Sequence, residues 1–203
     1  MRSIVWLVLA CVSCACAAVP GAPPAERALA LDVWEDLTER FQDDLARLAE
    51  RLRARDFAGA RAFFAPGFRG EVALGGEAKA DLPAPFAERT AWKRAVRGKP
   101  ELTDAAGCML PLESLLGSWR SVDHVAFGVP QALFYDRDGK KGAARAVLTA
   151  GGRDAQGRPV ALTLQWDLCL GGQPGGFLFE CLTKRPGELV VAPRPLFADA
   201  TRA

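Results

Sequence analysis

The sequence predicts an α+β domain, with N-terminal helices packed on a bent, four-stranded antiparallel sheet. Three observations carry this. From Val160 the chain alternates: Val160, Leu162, Leu164, Trp166, Leu168 and Leu170 fall on one side, and Ala161, Thr163, Gln165, Asp167 and Cys169 on the other. That is the pattern of a strand with one buried face. Trp34, Leu37, Phe41, Leu45, Leu48 and Leu52 recur every three or four residues, which draws one apolar stripe down a helix able to cover such a face. The links between the later extended segments are short and rich in turn residues, which makes sequential neighbours antiparallel.

The totals suit one core. The chain has 203 residues, 50% of them hydrophobic, and a formal net charge of +2. A balance this close to neutral gives no electrostatic reason to expect nucleic acid or an anionic membrane as partner. The single histidine, His124, excludes a multi-histidine metal site built by this chain alone. No metal and no cofactor is expected.

Met1–Ala18 has one arginine, then an apolar run, then small residues. This is the layout of a secretory signal peptide, with cleavage after Ala17 or Ala18, and the run is short for a membrane span. Cys11, Cys14 and Cys16 make a lipoprotein signal the rival, although none sits in a good lipobox. The protein is thus expected to be exported, periplasmic or secreted, and to meet a membrane only if lipid-anchored. Residues 19–25 form a proline-rich linker, and residues 26–191 the folded domain. Residues 192–203 are a tail and a candidate junction to a further domain.

Within the domain, Glu26–Arg55 reads as the first helix, with Trp34, Phe41, Leu45 and Leu48 as its core positions. Its early acids and late arginines match the helix dipole. Asp56 is an N-cap candidate for a second, short helix through Phe63-Phe64, stopped by Pro66-Gly67. Glu71–Leu74 reads as a short strand and Gly75–Pro85 as loop. Phe86–Lys99 carries Arg89, Lys93, Arg94 and Arg97 around Trp92 at helical spacing, and reads as a solvated helix face. Leu110–Trp119 reads as the last helical turns before the sheet.

The four strands are Ser121–Asp136, Gly142–Ala150, Pro159–Leu170 and Phe177–Lys184, with Leu164, Trp166 and Leu168 in the core. Gly128 and Pro130 interrupt the first and predict a bulge or bend there. Asp136–Lys141 is a hairpin turn, since it lacks the later oxygen ligands of a calcium loop. Gly171–Gly176 is a second turn, since it leads into a strand and not a helix N-terminus. Across that turn Cys169 and Cys181 are the candidate disulfide. Symmetric pairing would leave them three places apart on opposite faces; a one-residue bulge would restore a shared face, though still diagonal, and the alternative is three buried thiols, Cys108, Cys169 and Cys181.

This order of elements, a helix, a short helix ending F-F-A-P-G-F-R-G at Phe63–Gly70, further helical turns and a bent four-strand sheet, resembles the nuclear-transport-factor-2-like (SnoaL-like) cone fold over Leu31–Leu182. The resemblance implies a cone whose interior either works on a small apolar substrate, as in isomerase and cyclase members, or binds a ligand or partner without catalysis. A second resemblance lies in Pro195–Ala203, where Phe197, Asp199 and Thr201 are similar to the opening of FG-GAP repeat propellers of the cartilage-acidic-protein type. It implies an accessory domain ahead of a propeller.

An isomerase would need a carboxylate base in an apolar cavity with donors for an oxyanion. The candidates are Asp123, His124, Tyr135 and Asp167. Strict alternation turns Gln165 and Asp167 away from the leucine face, and no convergent catalytic set emerges. The expected function is therefore an exported, non-catalytic ligand-binding or accessory domain, its partner a small apolar ligand or another domain. The alternatives are a SnoaL-like isomerase or cyclase, and a dimerisation or interaction module, including a homodimer, that uses the exposed sheet face.

Overall fold

The computed structural model describes residues 24–74, 78–80, 88–92 and 101–192. The signal peptide, the proline-rich linker and the propeller-like tail lie outside these, apart from the last two linker residues and Ala192. Three helices run α1 (Pro24–Arg53), α2 (Phe57–Arg61) and α3 (Ala105–Ser118). The strands are β1 (Phe64–Gly70), β2 (Ala78–Ala80), β3 (Glu88–Trp92), β4 (Ser121–Phe134), β5 (Lys141–Arg153), β6 (Pro159–Gln173), β7 (Gly176–Lys184) and β8 (Gly187–Val191). This is the expected α+β class, with more strands than four.

The extra strands exist because β6 forks its neighbours. Along one side β6 pairs with β5 from Pro159 to Gly171. On the other, its second half pairs with β7 and its start with β8. Beyond β7 lies β1, in parallel, and beyond β8 lie β3 and then β2, antiparallel. Several sequence expectations are corrected here: Ala78–Ala80, read as part of a loop, pairs with β3 as a strand, and Phe64, read as helical, opens β1. Residues 88–92 form a strand rather than a helix, because pairing with β8 overrides their helical spacing of charge. The extended segment near residue 70 is Phe64–Gly70 rather than Glu71–Leu74, and its partner is parallel.

Alternation on β5 and β6 is as regular in space as in sequence. Ala144, Ala146, Leu148 and Ala150, and Val160 through Leu170 at every second residue, are buried. Ala146 sits opposite Trp166 in the ladder, a small residue making room for the indole. Phe127 tilts onto that ring at 5.6 Å between centroids. Helix α1 lies along β4, with Leu37, Phe41, Leu45, Leu48 and Leu52 buried and Trp34 half-buried, its ring edge-on to Phe134 at 6.4 Å. Asp56 caps α2 by accepting the Gly59 N–H at 2.9 Å, and Asp104 caps α3 through Gly107 at 2.8 Å.

Bulges bend the sheet. In β4 the register slips once at Asp123 and again between Gly128 and Gln131, where the glycine and proline predicted it. In the β6–β7 hairpin the turn is tighter than the six-residue reversal read from Gly171–Gly176. Gln173 pairs with Gly176, and Gly175 takes φ +92°, which glycine adopts freely. A bulge at Glu180 then sets Cys169 opposite Cys181. The two are bonded as a disulfide, Cα–Cα 4.9 Å apart, on the outer side of the sheet. Closing a loop of separation 12 predicts that Cys169→Ser with Cys181→Ser loses about 3 kcal/mol. Urea titration of oxidised wild type against the double variant measures it.

Candidate functional site

The chemistry-bearing residues can be placed from the sheet outward. Every buried residue of β4–β7 is apolar or glycine. The Trp166 indole N–H donates to the Ala73 carbonyl at 3.3 Å, so this buried polar atom is satisfied inside the fold. The inner face of the long strands is thus hydrophobic packing.

The four residues considered for proton chemistry fall elsewhere. Asp123 and His124 are exposed at the first bulge of β4. Tyr135, just beyond the other end of that strand, is 65% exposed, and its backbone N–H donates to the Lys141 carbonyl. Ten extended residues lie between His124 and Tyr135, a span of roughly 35 Å, so these groups do not converge. Asp167 lies on the outer face, as alternation indicated. Arg145 Nε donates to its Oδ1 at 2.9 Å and Arg185 Nε to its Oδ2 at 2.6 Å. Burial opposes ionisation of Asp167, but the two arginines more than offset this and hold its carboxyl below the usual range. It is a carboxylate committed to ion pairing and an unsuitable base. Because its folded pKa is lowered, this pairing stabilises the fold at neutral pH and is lost as acid protonates the group.

Three buried acids were not singled out from the sequence. Asp44 sits on the apolar stripe of α1, three residues after Phe41 and four before Leu48. Its Oδ2 accepts the Phe177 N–H at 2.6 Å, its other oxygen pairs with Arg47, and Arg47 reaches the Gly175 carbonyl. Asp44 therefore pins the β6–β7 turn to the helix. An open cleft of about 430 Å³ lies over it, lined by Arg40, Asp43, Asp44, Arg47, Gly175 and Gly176. Both signs of charge line this cleft, and its buried carboxylate is already engaged. Asp44→Ala is expected to cost about 1.5–3 kcal/mol, since it strands the Phe177 N–H. Thermal unfolding of the variant, with Asp44→Asn beside it, checks this.

Glu113 of α3 is 8% exposed and pairs with both Arg61 Nε, at 2.8 Å, and Arg61 Nη2. Glu71, 4% exposed, lies between α3 and β7: its backbone N–H donates to Leu182, and its carbonyl accepts the Cys108 thiol at 3.1 Å. Burial pushes that thiol up to about 12, which makes Cys108 a packing group and not a nucleophile. Asp44 and Glu113 carried a legible signal, an acid on an apolar helical stripe. Glu71 carried none. Among the described residues no group of three or more His, Cys, Asp or Glu is placed to hold a metal.

No family model and no curated protein matches the chain. Solved structures do. A scytalone dehydratase-like protein from Novosphingobium aromaticivorans DSM 12444 is similar at 13% identity and TM-score 0.50, the match covering 85% of this chain and 99% of that one. LinA matches at 8% identity and TM-score 0.49, over 84% of this chain and 97% of that one. At 13% identity the likeness to the first of these speaks to architecture alone.

Proposed function

We propose that this chain, which has the nuclear-transport-factor-2-like cone fold, is an exported, non-catalytic accessory domain that binds a partner through the outer face of its sheet. One observation carries the reading. The buried residues of the long strands are all apolar or glycine, while Asp123, His124, Tyr135 and Asp167 are turned outward, dispersed or spent on ion pairs. Export has its support in the leader-like N-terminus and in the Cys169–Cys181 bond, which belongs to an oxidising compartment.

A catalytic reading draws on the dehydratase-like neighbour, and Glu71, a buried acid of the described residues, is included in its test. The test is to assay the protein against hydroxylated aromatic and alicyclic compounds beside Glu71→Gln, Asp123→Asn and His124→Gln. The expected result is no turnover above background, or a trace that all three variants retain. A drop of about a hundredfold in one folded variant, the scale of a lost general acid or base, would replace this proposal with the catalytic one.

A further inference from the structure

We propose that Arg145 and Arg185 form a clamp on the outer sheet face for a carboxylate of an acidic protein segment; this rests on the docking reading above and names its partner. Both guanidiniums hold Asp167 through Nε alone. Their terminal NH2 groups make no bond to the described residues, and these are the donors that take a carboxylate two at a time. Asp167 fixes both side chains in place, so little ordering is left to do on binding.

Charge selects the occupant. Two arginines share one carboxylate, which leaves one positive charge in excess at the centre of the face. The flanking pairs Lys141–Glu180 and Arg89–Glu188 balance one for one. Arg69, exposed and paired with Cys181 in the ladder, adds positive charge on the same side as the disulfide. A second copy of this chain would set excess positive charge against itself, so an acidic partner fits better than a homodimer.

Shape agrees. Around the clamp lie Ala143, Val147, Thr163, Gln165 and Thr183, small or short residues on a pleated surface. The three charged side chains are themselves only 34–42% exposed. A level floor of this kind gives a free ion no enclosure but lets an extended segment lie against it.

The experiment uses the processed chain and a capped hexaglutamate peptide, with capped hexalysine as control, read by amide chemical shifts. The glutamate peptide should shift Val147, Gln165, Asp167 and Thr183, and hexalysine should not. Arg145→Gln with Arg185→Gln should weaken this response about tenfold or more, the scale of lost charge-assisted bonds. No response at these amides, an equal response to hexalysine, or the same response in the double-arginine variant overturns the clamp. Sedimentation as a dimer through this face, or binding to phosphatidylserine vesicles with no peptide response, overturns the acidic-protein partner and leaves the docking face standing.

Discussion

Trp166→Ala is expected to destabilise the fold by about 3–5 kcal/mol. The indole is completely buried at the middle of the forked strand β6. It faces Ala146 across the ladder on one side and has Phe127 tilted over it. Truncation leaves a cavity that a flanking alanine cannot fill and that a hydrogen-bonded sheet cannot close by collapsing. It also strands the Ala73 carbonyl, the acceptor of the indole N–H. Trp166→Phe separates the two effects: it keeps most of the volume and should cost far less, with about 1 kcal/mol of the loss belonging to the hydrogen bond. Guanidinium denaturation followed by far-UV circular dichroism reads both variants without relying on tryptophan fluorescence. A loss below about 1 kcal/mol for Trp166→Ala would mean that the indole does not fill the core.

The position of Trp166 could be read in advance because strands and helices write their buried face into their own spacing. β6 and α1 each carry enough repeats for the period to be unmistakable, and both face the core where that period puts them. Short strands do not have this property. Glu88–Trp92 is half-buried or exposed throughout, so no alternation marks it. Its strand character comes from β8, about a hundred residues later in the chain. β1 is similar, since only its parallel partner β7 makes Phe64–Gly70 extended. Register was also out of reach. The sequence names both halves of the Cys169–Cys181 pair but not the bulge at Glu180 that sets them opposite each other.

Candidate chemistry was legible to different degrees at different residues. The outward direction of Asp167 followed from alternation, but its two arginine partners did not: Arg145 comes from the neighbouring strand and Arg185 from just beyond β7. For Asp123 and His124 alternation failed as a guide. An extra residue in β4 breaks the period at that point, and both side chains end exposed. Asp44 shows the opposite case. An acid placed between Phe41 and Leu48 on a buried stripe must find donors or destabilise the helix. Those donors, Arg47 and the Phe177 N–H, are what tie α1 to the β6–β7 hairpin.

Arg61→Ala should cost about 3 kcal/mol, for a reason that differs from cavity formation. Glu113 lies on α3 between Met109 and Leu116, both fully buried, and its side chain is only 9% exposed. Arg61, at the end of α2, covers it with two hydrogen bonds and is itself 39% exposed. Removing the arginine leaves an ionised carboxylate with little water and no counter-charge, which costs more than the pair contributes. The partial exposure of Arg61 places the expected figure at the low end of the range for broken buried pairs, since truncation admits some solvent. Removing the acid instead leaves a guanidinium that can swing into water, so Glu113→Leu should cost less than Arg61→Ala. The combination Arg61→Leu with Glu113→Leu should lie within about 1 kcal/mol of wild type, because no charge then remains to be solvated. A double-mutant cycle in urea, with Arg61→Leu and Glu113→Leu as its single variants, supplies all four stabilities, and the coupling is the difference between the double variant and the sum of those singles. If Arg61→Ala is as mild as the double variant, Glu113 is reaching water, and the contact between α2 and α3 rests on apolar packing instead.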